Sequence, residues 1–191
     1  MTFLLRSDFA REPSATVKID RAPSAGTAPA RPRVLIVTTL ISLPYRVMRV
    51  AHEAGAEVCI LGTERSRGLE RSRFCAYFAP TRRRITGEAD PALAAEIDRW
   101  TRALGIDMVL PGDAPATRAL IALRDTLKAP CFPMPNLQQF DTLNNKWLFT
   151  KLCHELGILT PKSWVVEDAA RLRAEIAAGR IPLPAIAKPS N

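Results

Sequence analysis

Histidine is scarce in this sequence, which contains only His52 and His154. A metal site built from several histidines, as in many zinc enzymes, is therefore excluded. Cysteine is also sparse, and none of its copies has the short spacing of paired metal ligands: Cys59, Cys75, Cys131 and Cys153. Because two of them lie in apolar runs, we interpret the cysteines as small buried side chains of a protein in a reducing compartment.

Long apolar runs are absent as well. No segment of the sequence has the length and apolar character of a membrane-spanning helix. The amino-terminal stretch MTFLLRSDFARE contains too short an apolar run for a secretory signal. We therefore expect a cytoplasmic protein that has no membrane partner.

Glycine is missing where many nucleotide-binding folds require it. The first predicted strand is followed by TTLISLPYR, residues 38–46, which contains no glycine. Neither the dinucleotide-binding fingerprint nor the phosphate-binding P-loop pattern occurs. Another possible function is that of a nucleotide-sugar or nucleoside enzyme on a plain Rossmann-like fold. The pattern of residues 33–135 is the only part of the sequence that supports it.

The charge balance is basic, with a formal net charge of +8 from 27 Lys and Arg against 19 Asp and Glu. Such a balance favours anionic partners, which include nucleic acids and small anions such as nucleotides. Seven arginines lie between residues 65 and 84, but few aromatic side chains are interleaved with them for base stacking. We therefore interpret this cluster as a solvated face, which disfavours nucleic acid as the partner.

Most of the chain predicts alternating strands and helices. Residues 1–32 mix Ala, Pro, Ser, Gly and Arg without an apolar period, which is typical of a disordered tail. Apolar strands at 33–39, 56–62 and 106–113 alternate with amphipathic helices closed by glycine. This pattern predicts an open, mostly parallel Rossmann-like α/β sheet over residues 33–135.

The order of predicted helices and strands changes after residue 135. Two helices are predicted between residues 136 and 157. From about residue 160 the order is a strand at SWVVE, a helix capped by Asp168, and a strand at PAIAKP. This order predicts an incomplete α+β layer.

Three residues are candidates for chemistry. Lys146 begins a predicted helix, where backbone amides already favour anions, and Lys188 ends a predicted apolar strand. Each lysine could equally be solvated or extend along the surface. Asp113 follows a strand and could face a substrate, although an N-cap of the next helix is the favoured interpretation.

Several motifs in a fixed order resemble the ATP-grasp superfamily. They are the pair Asn145-Lys146 at a helix start, the turn Gly-Ile-Leu-Thr-Pro at 157–161, and Ile-Ala-Lys-Pro at 186–189. The stretch DMVLPGDAPATRAL, 107–120, is similar to the third strand and following helix of the domain that precedes the ATP-grasp domain. The resemblance covers residues 33–191.

The resemblance implies a fold, a reaction and two site residues. Residues 33–135 would be the pre-ATP-grasp domain, and 136–191 the start of the ATP-grasp domain, with the first half of its lid from about residue 160. In this superfamily the lysines that match Lys146 and Lys188 contact ATP phosphates. ATP with Mg²⁺ would activate a carboxylic acid as an acyl phosphate for ligation to an amine or another nucleophile. Homodimers are common in the superfamily.

The superfamily's glycine-rich lid loop, its acidic metal ligands and its substrate-reading arginine have no matching positions here. The resemblance therefore implies no catalytic or metal-binding residue in this chain. We expect a truncated form that is inactive by itself and belongs to a longer ligase. The alternative is a non-catalytic remnant, an α/β module that binds a small ligand or a partner chain.

Overall fold

The computed structural model describes residues 31–188, and its centre is a sheet of four parallel strands. The strand order is β3-β2-β1-β4. The predicted tail therefore lies outside the described residues except for its last two positions, and so does Pro189. The strands are β1 (Arg33–Thr38), β2 (Glu57–Gly62), β3 (Tyr77–Pro80) and β4 (Met108–Pro111).

Helices follow the strands in alternation, which confirms the predicted open α/β fold. The α-helices are α1 (Ser42–Glu53), α2 (Pro91–Leu104), α3 (Ala114–Ala122), α4 (Leu137–Asn144), α5 (Lys146–Glu155) and α6 (Ala169–Ala177). A 3₁₀ helix, Glu64–Arg71, lies between β2 and β3. Within residues 31–188 no helix combines the length and the apolar character that crossing a membrane requires.

The sheet separates two apolar layers because successive strand residues point to opposite faces. Leu35 and Val37 of β1 pack on one face in a cluster that includes Ile97 of α2 and Leu120 of α3. The alternate residues of β1 pack on the other face in a cluster that includes Met48 of α1. Both faces of the sheet are covered, which explains why the strands read as continuous apolar runs.

Side-chain caps and a closing glycine set the ends of several helices. Asp90 accepts a hydrogen bond from the amide of Ala92 at the start of α2, and Gly105 ends that helix with φ 60°. Asn136 and Gln139 form a capping box at the start of α4, in which each side chain accepts a hydrogen bond from the backbone amide of the other residue. These local bonds fix where the helices begin because they satisfy amides that no helical carbonyl can reach.

The segment after α3 adds one bridge to the sheet. The amide of Val109 donates to the carbonyl of Pro130 at 2.7 Å, and the amide of Phe132 donates to the carbonyl of Val109 at 2.9 Å. The stretch CFPMP, residues 131–135, is by its sequence compatible with either a short strand or an extended connection. The structure shows an extended connection with a single parallel bridge at Cys131.

The two strands predicted after residue 160 do not form between residues 161 and 188. Of the predicted strand, helix and strand, only α6 is present in this range. Trp164 is 41% exposed and Ile186 is 85% exposed, so these apolar segments have no layer to pack against. A strand also requires a neighbour for its backbone hydrogen bonds, and no described strand pairs with these segments.

Gly112 lies at the crossing of β1, α1 and the turn after β4. A Cβ atom at this position would lie 2.9 Å from Thr38 Cβ, 3.0 Å from Ile36 Cγ2 and 3.1 Å from Pro44 Cγ. We expect Gly112→Ala to lower the free energy of unfolding by about 1–3 kcal/mol, because buried neighbours would have to move. Urea denaturation at equilibrium measures the change.

Gly68→Ala is the matched control for this substitution. Its Cβ would approach only Ile41 Cδ1, at 3.0 Å, which is the tip of an exposed and flexible side chain. We expect this variant to be neutral or slightly stabilising. Equal unfolding midpoints for the two variants would show that Gly112 is not required for close packing.

Candidate functional site

The carboxyl ends of the parallel strands meet at one edge of the sheet, which is where open α/β folds bind ligands. The loop after β1 and the loop after β4 lie next to each other at this edge, because β1 and β4 are paired. Thr38 ends β1, Thr39 follows it in the first loop, and Asp113 lies in the second loop. The structure brings these polar residues into direct contact.

Asp113 is buried and accepts five hydrogen bonds. Its Oδ2 atom accepts from Thr38 Oγ1 at 2.8 Å, Thr39 N at 2.6 Å, Thr39 Oγ1 at 2.9 Å and Leu40 N at 3.1 Å. Its Oδ1 atom accepts from Ala116 N at 3.0 Å, which makes Asp113 the N-cap of α3. The capping interpretation of the sequence is therefore seen in the structure, together with four bonds that the sequence did not predict.

This carboxylate occupies the turn between β1 and α1. In dinucleotide-binding folds the amides of that turn and the following helix receive a pyrophosphate. Here the amides of Thr39 and Leu40 already donate to Asp113, whose negative charge would repel a phosphate. The arrangement agrees with the missing glycines and disfavours a dinucleotide at this turn, while a substrate contact by Asp113 stays a prediction.

Lys146 is the first residue of α5. Asn145 caps the helix, and its Oδ1 atom accepts from the amides of Trp147 and Leu148, both at 3.0 Å. The side chain of Lys146 is exposed, so its ammonium stands in solvent at the positive end of the helix dipole. The predicted helix start is confirmed, and the predicted phosphate contact stays a prediction.

Lys188 is the last described residue, and it is exposed. Neither Lys146 nor Lys188 takes part in an ion pair between described residues. The structure shows no hydrogen bond or ion pair that joins the two lysines to each other or to Asp113. It therefore places the candidates Lys146 and Lys188 without assembling them into one site.

Arg118 is a contact residue that sequence reasoning missed. Its guanidinium contacts Asp141 of α4 through two bonds, Nε to Oδ1 at 2.9 Å and an Nη atom to Oδ2 at 3.2 Å. The other Nη atom donates to the carbonyl of Gly87 at 2.7 Å. The hydrogen bonds and charge of Asp141 raise the pKa of Arg118 above its ordinary value. No local pattern signals these contacts, because the partners are 23 and 31 residues away.

The arginine cluster between residues 65 and 84 is partly neutralised by nearby carboxylates. Arg67 lies 3.3 Å from Glu64 and 3.6 Å from Glu70. Arg83 lies 3.7 Å from Asp90 and 3.5 Å from Glu96. The pairs of Arg67 are exposed, as is typical of a solvated face. The ion pairs between described residues involve none of the other five arginines of this cluster.

The cysteines do not form a reactive site. Burial raises the pKa of the Cys75 thiol to about 11, with a smaller contribution from nearby Cys59. Burial also raises the pKa values of Cys59 and Cys131. A thiol with a raised pKa stays protonated near neutral pH and is a poor nucleophile. Between residues 31 and 188, no group of three or more His, Cys, Asp or Glu side chains could hold a metal ion.

The contacts of Asp113 lead to a test of its role. Asn can still cap α3 with its side-chain oxygen. The NH2 group that replaces the second carboxylate oxygen only donates hydrogen bonds, so donors in the β1–α1 turn would lose their acceptor. We expect Asp113→Asn to lower the free energy of unfolding by about 1–3 kcal/mol. Urea denaturation measures the loss.

Asp168→Asn is the matched control, because Asp168 is an exposed N-cap that accepts one bond, from Arg171 N at 2.7 Å. Since Asn and Asp are similar N-caps, we expect a change below about 0.5 kcal/mol. If both variants lose the same small amount, the bonds between Asp113 and the β1–α1 turn contribute nothing to stability.

Comparison with known proteins places the fold among solved structures. No family model and no curated protein sequence matches the chain. N5-carboxyaminoimidazole ribonucleotide synthetase in an ADP complex matches with a TM-score of 0.52 and 14% identity, over 78% of this chain and 36% of that one. The biotin carboxylase domain of a single-chain bacterial carboxylase matches with a TM-score of 0.46 and 19% identity, over 78% and 34%.

An L-amino acid ligase from Bacillus licheniformis matches with a TM-score of 0.47 and 13% identity, over 78% of this chain and 41% of that one. The chain thus spans between 34% and 41% of the length of these three proteins. All three are ATP-grasp enzymes. At 14% identity, the match with N5-carboxyaminoimidazole ribonucleotide synthetase shows the fold alone. The chain shares its fold with part of that ATP-grasp enzyme, as the sequence predicted.

Proposed function

We propose that this chain is the ATP-binding, amino-terminal part of an ATP-grasp enzyme. The enzyme would activate a carboxylic acid as an acyl phosphate and transfer the acyl group to an amine or another nucleophile. Residues 33–135 would form the pre-ATP-grasp domain, and residues 136–191 would begin the ATP-grasp domain. The proposal includes a cytoplasmic location and small-molecule substrates.

The observation that carries this proposal is the position of Lys146. Asn145 accepts the amides of Trp147 and Leu148, so the first turn of α5 is formed before any ligand arrives. The exposed ammonium then adds its charge to the positive end of the helix. A phosphate group is the ligand that this combination of a lysine and a helix start favours.

Lys188 would supply the second positive charge. In the transfer of a phosphoryl group, charge spreads over the phosphate oxygens, and positioned cations stabilise it without forming covalent bonds. A lysine ammonium is a compact charge suited to this role. The exposed side chain of Lys188 is accessible to a ligand.

Magnesium would neutralise phosphate charge when bound together with ATP. The residues described in the structure do not provide a set of acidic ligands for it. We therefore assign no metal-binding residue in this chain and derive no catalytic step from it. We expect the chain alone to bind ATP but not to complete the ligation.

The proposal predicts that Lys146 contributes to ATP affinity. We expect Lys146→Ala to weaken the binding of Mg-ATP about tenfold or more, because a hydrogen bond to a charged group contributes about 1.5–3 kcal/mol. Lys188→Ala is expected to have a similar effect. Isothermal titration calorimetry with the 191-residue chain measures both dissociation constants.

Lys151→Ala is the matched control for Lys146→Ala. Lys151 is an exposed lysine of the same helix, and its ammonium lies 5.4 Å from the centre of the Trp147 ring. We expect this variant to bind Mg-ATP as the wild type does. Equal affinities for all three variants and the wild type would contradict the assignment, and no binding by the wild type would favour a non-catalytic module.

A further inference from the structure

Three separate segments of the chain meet at the Arg118 guanidinium. Arg118 belongs to α3, Asp141 belongs to α4, and Gly87 belongs to the loop between β3 and α2. The fork of two bonds to Asp141 and the single bond to the Gly87 carbonyl use all three guanidinium nitrogens. Such a planar fork restrains the direction as well as the distance of its partner.

The helix that carries Arg118 is itself firmly held. Asp113 caps its first turn from within the edge of the sheet, and Leu120 is fully buried in the core. Gly87 approaches the same side chain closely, since a Cβ at Gly87 would lie 3.2 Å from Arg118 Cδ. Arg118 therefore projects from a well-held helix, and its stem lies against Gly87 while 38% of the side chain is exposed.

The helix on the other side of the pair has few other attachments. None of the residues of α4 is fully buried, and its apolar residues Leu137 and Phe140 are half-buried. A second polar contact lies upstream, where Arg124 donates to the carbonyls of Met134 at 2.6 Å and Pro135 at 2.7 Å. Among the hydrogen bonds of the described residues, the two between Arg118 and Asp141 are those that join α4 to α3.

The end of α4 leads directly to Lys146. Helix α4 ends at Asn144, and Asn145 both ends that helix and caps α5. Because this link is a single residue, a rotation of α4 would move the first turn of α5 with it. The position of Asp141 therefore influences where the first turn of α5, and with it the backbone of Lys146, lies.

We propose that Arg118 is a positioning residue that holds α4, and through it Lys146, against the α/β sheet. The role of Lys146 in this proposal rests on the proposed function. Without the fork, α4 and α5 would sample several orientations. The affinity for ATP would then fall in proportion to the fraction of molecules in the competent orientation.

The experiment uses the 191-residue chain and four variants. Arg118→Ala removes the fork, and Arg118→Asp combined with Asp141→Arg reverses the pair and restores the contact between α3 and α4. Arg118→Lys keeps the charge without the fork. Arg49→Ala is the control, because Arg49 forms an equally short ion pair at 2.9 Å, but with Glu53 of its own helix.

Hydrogen–deuterium exchange and calorimetry with Mg-ATP give independent measurements. For Arg118→Ala we expect faster exchange in α4 and α5, unchanged protection in β1–β4, and about tenfold weaker binding. Arg118→Lys should resemble Arg118→Ala. The reversed pair should recover much of the protection and the affinity, and Arg49→Ala should change neither.

The outcomes separate this inference from the proposed function. If Arg118→Ala leaves exchange in α4 and α5 unchanged, or if the reversed pair restores nothing, Arg118 does not position these helices. Faster exchange throughout the sheet would show a general structural role and would also overturn the proposal. If the wild type does not bind Mg-ATP, the proposed function fails, and the exchange data alone decide whether Arg118 positions α4.

Discussion

The Asp113 carboxylate connects the parts of the α/β domain on which everything else depends. It caps α3 and accepts hydrogen bonds from the turn that follows β1. It therefore joins the loops that follow β1 and β4, at the carboxyl ends of these two strands. A buried carboxylate is stable only when hydrogen bonds replace its hydration, and here five donors do so. The position of α3, and of Arg118 on it, follows from this interaction.

The same carboxylate explains why a fold with Rossmann-like order is not a dinucleotide site of the usual kind. An anionic side chain of the protein already receives the amides that would otherwise bind a phosphate. The start of α5 lies outside this turn, and the side chain of Lys146 is exposed there. In the proposed function, the nucleotide therefore binds at the start of α5 and not at the turn between β1 and α1.

The segments after residue 160 show the limit of strand prediction from local sequence. Their β-branched and aromatic residues are typical of strands, yet Val165 is 59% exposed and Leu183 is 66% exposed. The helix between them does form, because Asp168 and a run of helix-forming residues supply all of its backbone bonds locally. A strand cannot form its backbone hydrogen bonds within itself and depends on an adjacent strand.

The sequence by itself determined the alternation of strands and helices, the caps at Asp113 and Asp168, and the helix start at Lys146. Hydrogen bonds and apolar periods within a few residues decide these features. It also predicted the fold shared with part of an ATP-grasp enzyme. Only the tertiary structure decided which distant groups meet. The contacts of Asp113 with Thr38 and Thr39, and of Arg118 with Asp141, cross 23 to 75 residues. The pairing of strands and the packing of helices bring such groups together, and no local pattern encodes them.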